Sequence, residues 1–142
     1  MQTTPADYDL GDQIGFVLRR AFQRHTAIFQ ARMVAALTPT QFAAMVRLAD
    51  VGPCSQNLLG RLTAMDVATI KGVIDRLRSR GLVASVPDET DRRRSSLTLT
   101  PAGRRLLDQA IEAGRDITRE TLSPLNPQEQ RQLLNLLGRI TD

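Results

Sequence analysis

Three times in this chain a helix-capping side chain is followed at once by proline: Thr38-Pro39-Thr40-Gln41, Thr100-Pro101-Ala102-Gly103 and Asn126-Pro127-Gln128-Glu129. The capping oxygen can accept from an orphaned amide, and proline's fixed φ and missing N–H suit the first helical position. A Gln or Glu at the third position can return a hydrogen bond to the cap. Three helix starts are thereby pinned: one helix over about 39–50, one from Pro101 to about Leu122, and a last one carrying Leu133, Leu134, Leu136, Leu137 and Ile140. Ser55 can cap a short helix to about Leu62, and Asp66 another that carries Ile70, Val73, Ile74 and Leu77 and is closed by Gly81. Ahead of these, Ile14, Val17, Leu18, Ala21, Phe22, Ile28 and Phe29 recur mostly three or four residues apart. This spacing predicts one long helix from Asp9 to about Val34, with Asp9 or Asp12 as its cap.

Between Gly81 and Thr100 the pattern changes. Leu82-Val83-Ala84-Ser85-Val86 and Ser95-Ser96-Leu97-Thr98-Leu99 read as two short strands around a charged connection from Pro87 to Arg94. The fold class is therefore mainly α with a small β-hairpin. From 38 to 100 the order is helix, short helix, helix, hairpin, the order of a winged helix-turn-helix in which the hairpin is the wing.

Composition excludes several other classes. The longest charge-free stretch, Met33 to Val46, is 14 residues and contains Thr38, Pro39, Thr40 and Gln41, too short and too polar to span a bilayer. Asp7, Asp9 and Asp12 with no early basic residue lack the order of a secretory signal, so a cytoplasmic protein is expected. One cysteine, Cys54, and one histidine, His25, permit neither an internal disulfide nor a structural zinc site, and no cofactor is implied. Acids and potential nucleophiles are not gathered in any catalytic pattern, so no catalytic residue is assigned.

Charge is unevenly placed. Residues 61–105 hold nine Arg and Lys71 against five acids, a net +5, whereas the stretches before and after together hold −1. Arginine makes up 18 of the 19 basic side chains, and a planar guanidinium suits phosphate oxygens and the guanine edge. The helix pair and the field together point to duplex DNA as a partner. The second helix of such a pair enters the major groove by its N-terminal end while the first spans the backbone. Val67, Ala68, Thr69, Lys71 and Gly72 stand there, with Thr69 and Lys71 the expected base-edge contacts, and Ser55, Gln56 and Asn57 are placed to position a phosphate. At the wing tip, Asp91-Arg92-Arg93-Arg94 offers Arg92 or Arg93 to a narrow minor groove, with Asp91 holding one of these arginines in a fixed rotamer.

Leu37-Thr38-Pro39-Thr40-Gln41-Phe42, then Ile74-Asp75-Arg76-Leu77 with Arg80-Gly81-Leu82-Val83, then Asp88-Glu89-Thr90-Asp91-Arg92-Arg93, and finally Leu99-Thr100-Pro101-Ala102-Gly103 resemble the MarR family of bacterial regulators. The likeness covers 37–107, and the long helices on both sides are similar in placement. It implies one domain over 1–142: a winged lobe at 37–100 and dimerisation helices at 10–36 and 101–142. It further implies a homodimer that represses transcription from a near-palindromic operator until a small ligand releases it. Two positions depart from the family's pattern. Gly72 replaces a polar or basic residue, which shifts groove contacts to Lys71 or Arg76, and Arg94 adds a third arginine to the wing.

The wide apolar face of the last helix independently invites a partner, since a terminal helix in so small a chain cannot bury all of it alone. For the effector, Phe16, Arg19, Arg20, Gln23, His25 and Phe29 mix basic, polar and aromatic groups on the first helix, suited to an aromatic carboxylate. The stretch Gln23-Arg24-His25-Thr26-Ala27 is similar to that of family members answering to hydroxylated aromatic acids. Two alternatives stay open: a regulator that senses thiol oxidation through Cys54, and a winged-helix module that binds protein without DNA. Against the first, no basic residue near Cys54 in sequence would stabilise a thiolate.

Overall fold

The predicted caps at Thr38, Ser55, Asp66, Thr100 and Asn126 are all occupied. In the computed structural model, which describes residues 7–141, the main elements are α1 (Ile14–Arg32), α2 (Pro39–Val51), α3 (Gln56–Leu62), α4 (Val67–Ser79), β1 (Val83–Pro87), β2 (Ser95–Leu99), α5 (Pro101–Thr121) and α6 (Pro127–Arg139). Thr38 Oγ1 accepts from the Gln41 amide and Gln41 Oε1 from the Thr38 amide, each at 3.2 Å, and Asn126 and Glu129 make the same reciprocal pair. Ser55 Oγ accepts from Leu58 N–H and Asp66 Oδ1 from Thr69 N–H. Each such cap stabilises its helix by about 1 kcal/mol.

The Thr100 cap differs because its third position is glycine. A Cβ on Gly103 would lie 2.2 Å from the Leu82 carbonyl oxygen, so only glycine lets the first turn of α5 sit directly on the chain entering the hairpin. Thr100 completes the junction: its Oγ1 accepts from Gly103 N–H and donates to the Gly81 carbonyl.

Three boundaries move from their expected places. The first helix begins at Ile14, not Asp9, because Asp9 instead caps a single 3-10 turn, Leu10–Asp12, through Gly11 N–H. It ends at Arg32, before Val34, because Ala35 and Ala36 both adopt left-handed backbone at φ 55° and 52°. That conformation costs roughly 1–2 kcal/mol for a residue with a Cβ, and the Arg80 guanidinium donates to the Ala35 carbonyl there at 2.6 Å. The first strand begins at Val83, since Leu82 N–H is still committed to the Leu77 carbonyl around the left-handed Gly81 (φ 72°).

The chain divides into two compact units. One comprises Met33–Arg115. In it the strands pair antiparallel with Val83 opposite Leu99, Ser85 opposite Leu97 and Pro87 opposite Ser95. Met45, Leu48, Leu59, Ile70, Ile74, Leu77 and Val83 are essentially inaccessible and form one core with Leu97, Leu99, Leu107 and Ala110. The latter two lie on α5, so the first half of that helix belongs to the winged unit. The compact units accordingly divide between Arg32 and Met33 and between Arg115 and Asp116. The other unit joins the N-terminal stretch up to Arg32 with the C-terminal stretch from Asp116. Here Arg24 donates to the Glu120 and Thr121 carbonyls at the end of α5, supplying donors that a helix C-terminus lacks, and Arg32 pairs with Glu120. Phe29, Ile117 and Leu122 are buried, but α6 has no buried residue.

Candidate nucleic-acid interface

The winged unit presents α3, α4 and the hairpin in the order that the spacing predicts. Ser55 Oγ is spent on Leu58 N–H at 3.1 Å, so Ser55 acts first as a helix cap, and Asn57 stands exposed in the turn behind it with Gln56 half-buried. Behind Ser55, Cys54 N–H donates to the Leu97 carbonyl and Cys54 O accepts from Leu97 N–H at 2.7 Å. This bridge ties the start of the helix pair to the wing. The Cys54 side chain is buried, and burial pushes its thiol up, favouring the unreactive neutral form. The structure therefore gives no support to the thiol-sensing alternative.

On α4, Val67, Ala68, Thr69 and Lys71 are exposed, whereas Ile70, Val73, Ile74 and Leu77 on the opposite face are buried. Thr69's amide, then its hydroxyl, holds the Asp66 carboxyl below the ordinary carboxylate range. Lys71 Nζ lies 2.9 Å from Asp75 Oδ2, a bond that also lowers Asp75, so this expected base-edge donor has an acceptor in its own helix. The Arg76 guanidinium extends back along α4 to Gly72, where a Cβ would meet one of its nitrogens in ordinary contact at 3.7 Å. Arg78 bonds Ser85 Oγ at 2.7 Å and pairs with Asp75, joining α4 to β1.

The wing tip is organised by a residue that sequence reasoning missed. Asp88 Oδ1 accepts from Thr90 Oγ1 (2.7 Å), Thr90 N–H (2.8 Å) and Asp91 N–H (3.3 Å), and these bonds hold its carboxyl below the usual range. Asp88 N–H also donates to the Arg94 carbonyl, closing the loop. The signal was an Asp two residues before a Thr at the end of a strand, the pattern of a side-chain-closed turn. Asp91 does hold an arginine, but it is Arg94, at 3.8 Å, and its other bond is to the Arg93 amide. Among the described residues, the Arg92 and Arg93 guanidiniums have no ion-pair partner, and both side chains are exposed.

The expected effector residues are only partly brought together. Arg19 and Arg20 both lie over the Phe16 ring, at 5.6 and 5.8 Å, and Gln23 is exposed. His25 Nδ1 sits 2.9 Å from Thr121 Oγ1, its ring tilted between Phe22 and the buried Phe29. His25, Phe22, Leu18, Leu133, Leu134 and Thr121 are among the residues lining an open apolar groove of about 320 Å³. Phe16, Arg19, Arg20, Gln23 and Phe29 do not line it. Phe22 was missed as a lining residue because the apolar stripe of α1 explains it equally well as core. Among the described residues, no cluster of His, Cys, Asp and Glu could hold a metal ion, and no helix is long and apolar enough to cross a membrane.

The MarR family model matches residues 37–95, the segment that carries this helix pair and wing. A transcriptional repressor of Pseudomonas putida, NicR, is 43% identical over the whole of this chain and 89% of its own length. The chain belongs to the MarR family. A Pseudomonas aeruginosa structure described as a probable transcriptional regulator is 54% identical. It superposes with a TM-score of 0.90 over 93% of this chain and 99% of its own. BpsR of Bordetella bronchiseptica, whose DNA binding is regulated by 6-hydroxynicotinic acid, is 41% identical with a TM-score of 0.90 over 96% of this chain and 99% of its own. These MarR-type relatives share the hairpin and all six helices in order.

Proposed function

We propose that this protein is a cytoplasmic transcriptional repressor that binds a near-palindromic operator as a homodimer and is released by a small aromatic acid. The observation that carries the DNA reading is the conjunction of α4's exposed first turn with a wing whose exposed Arg92 and Arg93 guanidiniums have no ion-pair partner among the described residues. Those two arginines are free to take minor-groove phosphates and floor atoms, while Ser55, Gln56 and Asn57 position the backbone and Thr69, Lys71, Gly72 and Arg76 face bases. The homodimer follows from the exposed Leu133, Leu134, Leu136 and Ile140 of α6, which leave an apolar face for a second copy to cover. Two subunits place two reading helices about one DNA turn apart.

The effector class is supported by BpsR, 41% identical, whose DNA binding is regulated by 6-hydroxynicotinic acid. In this chain, His25 and Phe22 are the groups in the groove that would meet an aromatic ring and its polar substituent, with Phe16, Arg19, Arg20, Gln23 and Phe29 further candidates on α1. Fluorescence anisotropy with the fragment upstream of the protein's own coding sequence tests both halves. Binding should fall steeply with salt as counterions are released, and 6-hydroxynicotinate should dissociate the complex. No binding at minimal ionic strength overturns the repressor reading in favour of a protein-binding module; binding that ignores aromatic acids overturns the effector alone.

A further inference from the structure

Val67 is 70% exposed, more than any other large apolar side chain among the described residues. Its setting is unusual for such a side chain. In the winged unit, Val51 is the other exposed large hydrophobic, and the remaining exposed ones belong to the other unit, so Val67 is not part of a broad apolar patch that a protein partner would cover. It occupies the first position of α4, the helix that the DNA reading places in the major groove.

Around it, the hydrogen-bonding groups have acceptors or donors of their own. Thr69's amide donates to Asp66 Oδ1 while Thr69 itself stands exposed, and Lys71 Nζ lies 2.9 Å from Asp75 Oδ2. Ala68 adds another exposed methyl, and Gly72 adds no bulk. The first turn of α4 therefore presents mainly methyl groups, with the Lys71 ammonium already beside an acceptor and the Arg76 guanidinium lying further along the helix, near Gly72. In the major groove only thymine offers a matching apolar group, its C5-methyl. The net +5 of residues 61–105 supplies attraction to the backbone that a methyl contact cannot.

We propose that Val67 is a specificity-determining residue that packs on the C5-methyl of a thymine in each half-site, so that the first turn of α4 reads by methyl contact. This rests on the DNA-binding function above and adds the base chemistry it recognises.

The test uses the upstream fragment synthesised with thymidine or with deoxyuridine, which lacks only the methyl, against the wild-type protein, Val67→Ala and Val67→Thr. Burying one methyl is worth about fourfold in affinity, so two half-sites should give the wild type about a fifteenfold preference for the thymidine fragment. Val67→Ala should bind the thymidine fragment more weakly and lose most of that preference. Val67→Thr, which keeps one methyl, should retain part of it. Because Val67 is exposed, all three proteins should melt alike. Equal wild-type affinity for the two fragments overturns the proposal while leaving DNA binding intact, and so does a Val67→Ala variant that keeps the full preference. Failure to bind either fragment at low salt instead overturns the DNA-binding function and the proposal together.

Discussion

The two units of this protein solve the same problem of burial in opposite ways. In the winged unit, aliphatic side chains from three helices, both strands and the first half of α5 close on one another, leaving Val51 and Val67 outside. In the unit built from the chain ends, Tyr8, Leu10, Ile14, Val17, Leu18, Phe22, Leu133, Leu134, Leu136 and Ile140 remain exposed, against three large side chains buried. The first is complete as a single chain; the second has the surface of half a core. Under the function proposed above, the self-sufficient unit would read DNA and the incomplete one would pair two copies, so changes in the wing should leave the dimer intact.

The sharpest way to break that contrast is to charge the uncovered face. A Leu134→Asp, Ile140→Asp double variant should raise the dimer dissociation constant by on the order of a hundredfold or more and abolish operator binding at assay concentrations. Sedimentation velocity of a variant that still runs as a dimer would erase the division of labour. Next in size, Ile74→Ala in the closed core should cost about 2–5 kcal/mol in chemical denaturation, since that side chain is wholly inaccessible. A cost near that of an exposed aliphatic would mean the winged core is looser than its burial implies.

Smaller effects sharpen the picture within the wing. Arg93→Ala should weaken binding to specific and random duplexes by a similar factor and make the salt slope shallower by about 1 for each bound subunit. An unchanged slope would place Arg93 away from phosphate. The smallest change concerns Asp88. Its folded value lies below the ordinary 3.8, so its ionised form favours the closed loop. That contribution is complete above the unfolded value and is lost as pH falls through the lower folded one. Amide exchange at Thr90 and Asp91 in Asp88→Ala should accelerate at neutral pH, relative to the intrinsic rates, and the wild type should approach it only under acid conditions. Matching protection in the two proteins would remove Asp88 from the organisation of the wing.

Local chemistry made most elements readable. Capping oxygens, N1 prolines and the glycine after α4 act within a few residues, so the starts of α2 to α6 and the second strand could be placed from sequence spacing. The positions of Val67, Thr69, Lys71 and the wing arginines on one winged unit were legible for the same reason. What escaped was set by competition among nearby counter-charges or by partners distant in sequence. Asp91 turned to Arg94 rather than to Arg92 or Arg93, and Lys71 turned to Asp75, because a side chain with several reachable counter-charges is settled by loop and helix geometry. His25 met Thr121 across 96 positions, and α1 stopped at Arg32 in front of a left-handed Ala35–Ala36 turn whose carbonyl is held from the end of α4.

By itself, then, the order of residues determined the element sequence, the basic middle segment and the family likeness, since each depends on interactions spanning a turn or less or on simple placement of charge. Tertiary structure decided which apolar faces are closed and which stay open. It also decided that α5 is divided between two units and that His25 meets Thr121, because burial and hydrogen-bond satisfaction belong to groups that only folding brings together.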